Sequence, residues 1–307
     1  MKQAISLFLK GLAMGAANVI PGVSGGTIAL ITGIYETFIN SLKSFNLEAI
    51  KLLFQFKFKE LWEHVNGSFL SAVLLGVGVS IFSLAKLMEY LLKYQELLTM
   101  AFFFGLIAVS VYSVGRTVGK WSLSSIISLL VGTGIAVGIA LLAPASENPS
   151  FIYVVLCGIV AVCSMILPGL SGSFVLIIMG NYALILGAIG RVDLGILAPL
   201  LIGCVVGMIA FSQLISWVLK RYPDQTISMM TGFVLGSLLV IWPWKTTLTE
   251  TIERAGKEAK EVVVGYQWHA PDFGVTQTYT ALGLIIIGGV LIWLIDRSGS
   301  MRGEEVA

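Results

Sequence analysis

Apolar runs long enough to cross a bilayer recur along the chain at about 67–92, 97–116, 123–143, 196–220, 226–244 and 278–296. Two further apolar regions, about 3–42 and 151–189, are interrupted. Each runs into Pro-Gly and restarts at Ser-Gly: Pro21-Gly22 and Ser24-Gly25 in the first, Pro168-Gly169 and Ser171-Gly172 in the second. Proline ends a helix, and the glycine beside it permits a turn. Each interrupted region therefore predicts two short helices that enter the membrane and turn back, or else two full spans. The leading segment of the first region is only about 17 residues long and holds Lys10 midway, which favours the re-entrant form. The pattern predicts an all-α integral membrane protein with two re-entrant helical hairpins plus about six full transmembrane helices.

The interruptions are copies of one another. Ile20-Pro-Gly-Val-Ser-Gly-Gly-Thr27 is echoed by Leu167-Pro-Gly-Leu-Ser-Gly-Ser-Phe174, and Gly33-Ile34-Tyr35 by Gly180-Asn181-Tyr182. Further on, Leu75-Gly76 aligns with Ile202-Gly203, and Gly105 and Ser110 with Gly232 and Ser237. The first copy holds about 20 extra residues, placed at 45–66. One membrane domain covers 1–307 in two repeats. Repeat 1, about 1–145, has the broken pair 3–42, a helix at 46–64 and the spans 67–92, 97–116 and 123–143. Repeat 2, about 151–297, has the broken pair 151–189, the spans 196–220, 226–244 and 278–296, and an external loop at 245–277. Three crossings per repeat turn the second upside down relative to the first, which is an inverted repeat. Broken segments in matching positions of two such halves point to a transporter's binding site.

Composition agrees with a membrane protein. The chain is 57% hydrophobic and 12% charged, where a soluble domain has about 25% charged residues. A net charge of +2 gives no reason to expect a nucleic-acid partner. No cleavable signal peptide is expected. Cys157, Cys163 and Cys204 all fall in apolar segments and read as small buried hydrophobes. Lys2, Lys43, Lys51, Lys57, Lys59, Arg116, Lys120, Lys220, Arg221, Arg297 and Arg302 all fall on one side if both broken pairs return to the side they entered. The positive-inside rule then places both termini in the cytoplasm of a multi-pass cell-membrane protein. Lys86 and Lys93 run against this, accompanied by Glu89 and Glu96. Residues 46–64 set Leu47, Ile50, Leu53, Phe54, Phe58, Leu61 and Trp62 among Lys51, Lys57 and Lys59, the pattern of an interfacial amphipathic helix. Residues 245–277 are polar with mixed charge and read as a solvated loop with a helical turn or two.

The chemistry lies in the repeated motif. Irregular chain at membrane depth survives inside protein or beside a water-filled cavity. Ser24 and Ser171 suit the N-caps of the outgoing helices. The glycines Gly22, Gly25, Gly26, Gly169 and Gly172 let a ligand approach the backbone. Helix starts offer N–H groups and a positive dipole end to an anion, and Thr27 and Ser173 add hydroxyls. The candidate substrate-binding set is Asn18, Pro21, Gly22, Ser24, Gly25, Gly26, Thr27, Pro168, Gly169, Ser171, Gly172 and Ser173. Lys10, Glu36, Arg116 and Arg191 are candidate charge partners. Close helix packing through small residues is the competing explanation of the glycines. No catalytic set, metal spacing or nucleotide loop is legible, so no cofactor is expected beyond coupling to H+ or Na+.

The stretch Gly11 to Thr27 with Gly33-Ile-Tyr-Glu36, and Met165 to Ser173 with Gly180-Asn-Tyr182, resembles the family long called DUF368 over nearly the whole chain. That family is known as polyprenyl-phosphate transporters. The resemblance implies a non-enzymatic flippase that returns undecaprenyl phosphate, the lipid carrier of cell-wall synthesis, to the inner leaflet. It leaves open which residues grip the phosphate, what drives the cycle and the oligomeric state. Two rival readings stand beside it. An anion channel or exchanger also uses Ser/Gly-rich helix starts in an inverted repeat. An intramembrane polyprenyl-diphosphate phosphatase has broken helices too, but Gly25 and Gly172 stand where it has Arg, and no base for a nucleophile is evident.

Overall fold

A computed structural model describes residues 2–19, 24–254 and 257–303. The first half comprises α1 (Lys2–Val19), α2 (Gly25–Ile31), α3 (Tyr35–Lys43), α4 (Leu47–Phe54), α5 (Phe58–His64), α6 (Gly67–Tyr94), α7 (Glu96–Gly115) and α8 (Leu123–Leu141). The second comprises α9 (Phe151–Ile166), α10 (Gly172–Ile178), α11 (Tyr182–Arg191), α12 (Leu194–Arg221), α13 (Pro223–Ser237), the strands β1 (Lys245–Arg254) and β2 (Lys257–Trp268), and α14 (Thr276–Gly303). Among the described residues, five helices are long and apolar enough to cross a membrane: α6, α7, α8, α12 and α14. A sixth span results if the bent pair α10–α11 is counted as one. Large apolar side chains face outward on these helices, Phe82 at 89% exposure, Leu201 and Ile286 among them. Surface apolar area of this extent belongs in lipid.

Four departures from the sequence reading have local causes. Each interrupted region forms three helices rather than two. After the seven-residue helices α2 and α10, Gly33 and Gly180 take φ of +70° and +73° and turn the chain into α3 and α11. Glycine enters that left-handed region without a Cβ clash. The bend from α10 to α11 is 116°. Residues 46–64 form two helices, not one, because the chain turns at Phe56 with φ +55°. Both keep exposed apolar residues, including Leu47, Phe54 and Trp62. The expected span 226–244 is a helix only to Ser237; Leu238 to Ile241 then turn through hydrogen bonds of 3.0–3.3 Å to carbonyls three or four residues back. Finally, 245–268 is an antiparallel hairpin rather than a loop with helical turns. Trp268 Nε1 donates to the Leu239 carbonyl at 2.9 Å, and Trp242 Nε1 donates to the His269 carbonyl at 3.1 Å. The aromatic residues at its foot thus tie the hairpin to the chain leaving α13.

Helix pairing follows the internal repeat. α1 lies along α6 as α9 lies along α12, and α7 lies along α14 as α13 lies along α8. Glycines make these crossings close. A Cβ on Gly11 would overlap the Val73 carbonyl, and one on Gly158 the Leu200 carbonyl. Gly76 meets the Phe8 carbonyl as Gly203 meets that of Val155. Gly105 meets Ile285 as Gly232 meets Leu129, and Gly288 meets Phe102 as Gly132 meets Met229. Each of these contacts in one half has its counterpart in the other. One buried core joins the halves, with Met14, Ile28 and Tyr35 beside Ile166, Met230 and Val234.

Candidate functional site

The residues that lead into α2 and α10 share an extended backbone. Ser24 precedes α2 with φ −117° and ψ 134°, and Ser171 precedes α10 with φ −104° and ψ 125°. In the second copy α9 stops at Ile166, and Leu167 takes the extended backbone that a following proline imposes. Pro168 is buried, and Gly169 turns with φ +81° against the backbone of Phe233 and Val234. Pro21 and Gly22 lie outside the described residues.

The breaks meet in the protein interior. Ser24, 1% exposed, donates from Oγ to the Leu167 carbonyl at 3.2 Å. In return, the Gly169 N–H donates to Thr27 Oγ1 at 2.9 Å, and Thr27 is fully buried. These two hydrogen bonds cross between halves of the chain. Each places a backbone group of the second motif against a side chain of the first.

The helix starts differ in how their donors are used. At α2 the Gly25 N–H donates to Asn18 Oδ1 at 2.7 Å and the Gly26 N–H to Ser24 Oγ at 3.1 Å. The Thr27 N–H reaches the Ser24 carbonyl at 3.0 Å. At α10 no side chain caps the helix; Ser171 Oγ and Ser173 Oγ lie 2.9 Å apart. Met165 stands where the first copy has Asn18. The motif glycines are closed in by the protein itself. A Cβ on Gly26 would come within 2.9 Å of the Ile166 carbonyl, and one on Gly172 within 2.7 Å of the Ala161 carbonyl. One on Gly25 would meet the Asn18 amide at 2.8 Å.

Among the charge candidates, Lys10 lies at the far end of α2 from Ser24. Its Nζ donates to the Thr32 carbonyl at 2.7 Å, at the helix C-terminus, where a cation is favoured. Glu36 is exposed in the first turn of α3. Arg116 is exposed at the end of α7 over the Tyr112 ring, and Arg191 is exposed in the last turn of α11. The buried junction thus joins Ser24 and Thr27 to Leu167 and Gly169, while Glu36, Arg116 and Arg191 sit at the ends of their own helices and Lys10, midway along α1, reaches the end of α2.

Two residues escaped the sequence reading as participants. Tyr153 Oη donates to the Met179 carbonyl at 2.9 Å, the place that Lys10 fills for Thr32 in the first half. The capping groups come from different turns of α1 and α9, so aligning the copies does not reveal them. Asn181, fully buried, exchanges two hydrogen bonds of 2.8 Å with the backbone of Asn148. Its counterpart is the apolar Ile34, and only the surrounding of α11 shows its role.

Comparison with known proteins follows the same lines. Residues 14–259 match the VCA0040-like family, described as undecaprenyl phosphate translocase-like. The chain belongs to this family. A polyprenyl-phosphate transporter of Vibrio cholerae serotype O1 is 45% identical over 254 residues, covering 83% of this chain and 82% of the relative. A polyprenyl-phosphate transporter of Staphylococcus aureus is 34% identical over 253 residues, covering 76% of this chain and 85% of the relative. No solved structure gives a significant match. Both relatives are named as transporters and the family is described as translocase-like, which sets the chain among transporters rather than enzymes. The match begins within α1 and takes in both interruptions, so the buried junction lies inside the shared region.

Proposed function

We propose that the protein carries undecaprenyl phosphate between the leaflets of the cytoplasmic membrane by alternating access, with the phosphate bound where the two breaks meet. The observation that supports this most is the junction itself. Polar side chains and irregular backbone from two matching broken segments converge there, away from lipid. The relatives named as polyprenyl-phosphate transporters supply the substrate class.

In this reading the two halves are inverted repeats about an axis in the membrane plane. The breaks are the tips of re-entrant segments, and both termini are cytoplasmic. The phosphate takes donors from the starts of α2 and α10 and from Ser171 and Ser173. At α2 it displaces Asn18 Oδ1 from the Gly25 N–H. Asn18 then serves as an internal acceptor that keeps this buried donor satisfied between turnovers. The bulk of the isoprenoid tail stays in lipid. Rocking of one half against the other opens the site to each leaflet in turn, driven by a gradient of H+ or Na+.

The test is leaflet-resolved transport of labelled undecaprenyl phosphate by purified protein in proteoliposomes, with and without imposed ion gradients. Transport is expected in the wild type, with strong reduction in Asn18→Ala, which removes the internal acceptor without adding bulk. Chloride or inorganic phosphate flux with no movement of the lipid would replace this reading by that of an anion channel.

A further inference from the structure

The two halves carry a matched pair of apolar grooves. One, a cavity of about 280 Å³, is lined by Leu84, Met88, Phe102, Phe103 and Leu106 of α6 and α7. The other, of about 400 Å³, is lined by Phe211, Ile215, Met229, Met230 and Phe233 of α12 and α13. These five positions correspond one to one under the alignment that sets Gly76 against Gly203 and Gly105 against Gly232. Each groove also reaches its own side of the junction. Ala17, next to Asn18, closes the first, and Leu167, whose carbonyl accepts from Ser24, closes the second. Each lining also includes a surface residue, the exposed Leu291 and Leu214 respectively.

We infer that these grooves are the two exits for one lipid tail: each holds the isoprene units nearest the phosphate while the junction faces one leaflet. The inference rests on the reading given under Proposed function. A single phosphate site that serves both leaflets needs the attached chain to leave sideways in two directions. A pseudo-symmetric protein supplies equivalent exits at equivalent places. The linings are almost wholly apolar and rich in Phe, Met, Leu and Ile, which suits a flexible, methyl-branched hydrocarbon. The volumes accommodate only the first part of a long chain, and the remainder lies in the bilayer. Two unrelated surface clefts would not share five aligned positions, nor both end at the junction.

The experiment uses the full-length protein in nanodiscs and a polyprenyl phosphate with a photoreactive group on the isoprene unit next to the phosphate. Labelling is expected at both grooves, on the peptides of Phe102-Phe103 and of Met229-Met230. Unlabelled polyprenyl phosphate should compete, and phospholipid should not. Label confined to the outward face, at Phe82 or Leu201, or displaced by ordinary phospholipid, would overturn the inference. Filling the grooves gives a second arm. Ala13→Phe on one side and Ser128→Phe on the other should each slow long-chain transport roughly tenfold or more, as added bulk in a fitted space does. Binding of inorganic phosphate, which carries no tail, should stay as in the wild type. Wild-type rates in both filled variants would remove the grooves from the pathway. A wild type that transports no polyprenyl phosphate at all would instead overturn the reading on which the inference rests.

Discussion

Ser24 and Ser171 occupy the same place in their halves and make different bonds. Ser24 caps α2 and also donates across to the Leu167 carbonyl, whereas Ser171, among the described residues, pairs with Ser173. Losing Ser24 therefore removes a structural tie, and losing Ser171 or Ser173 removes a hydroxyl that a ligand can use. Thr27→Val should act like loss of a tie, because it strands the buried Gly169 N–H. An unsatisfied buried donor costs about 1–3 kcal/mol, so unfolding in detergent should come at clearly lower temperature. Ser171→Ala with Ser173→Ala should leave that temperature nearly unchanged and weaken lipid binding by about 1 kcal/mol per lost bond. The opposite pattern, stability lost at the serines and binding lost at Thr27, would assign the ligand to the α2 side. Lys10→Gln belongs with the structural variants, since Lys10 bonds the C-terminal carbonyl of α2 rather than its start.

At the scale of elements, glycines set the helix crossings and aromatic residues seat the hairpin. A side chain at Gly105 or Gly232 would enter the backbone of the facing helix, which cannot move aside as a side chain can. Gly105→Val and Gly232→Val should each abolish stable insertion or cost at least about 1–3 kcal/mol. Gly134 and Gly138 on α8 face open space, so valine there should be tolerated in yield and in melting temperature. At the foot of the hairpin, Lys245 donates to the Val240 carbonyl and lies 4.6 Å from the centre of the Tyr266 ring. Burial lowers its pKa from the ordinary lysine value to about 8, with Glu96 opposing. Below pH 8 the ammonium is charged in both the folded and the unfolded chain, and the cost of burying it is fully present. As the pH rises through 8, the folded protein releases the proton while the unfolded chain still holds it, and stability increases. The unfolding midpoint should therefore be higher at about pH 9 than at about pH 7. Lys245→Met should remove the difference; persistence of the full rise would assign it to another group.

For the molecule as a whole, the distribution of charge predicts an orientation in the membrane. The pair α4–α5 and the hairpin carry opposite expectations: the first on the cytoplasmic side with Lys51, Lys57 and Lys59, the second outside. Lys59 and Phe273 are both exposed, which suits them to labelling. In a background with Cys157, Cys163 and Cys204 replaced, an impermeant thiol reagent added to intact cells should label Phe273→Cys and not Lys59→Cys. Label at Lys59→Cys alone would invert the topology and put the termini outside.

Much of this architecture was legible because its causes are local or repetitive. Apolar length marked the spans. Proline and glycine marked the breaks, and the recurrence of one motif marked two related halves; the substrate class came from resemblance to a known family. What the chain could not reveal by itself depends on which groups become neighbours. The third helix of each broken region required the left-handed turns at Gly33 and Gly180, whose signal is a single glycine. The hairpin at 245–268 looked like a charged loop because alternating polar residues form a strand only when a partner strand satisfies their backbone. The split between α4 and α5 turned on one backbone angle at Phe56. Above all, tertiary packing decided that Ser24 and Thr27 face Leu167 and Gly169, and that Lys10 faces the other end of α2. Sequence determines which groups are polar and where the helices must stop; only folding decides which carbonyl each buried donor finds, because that pairing joins residues far apart in the chain.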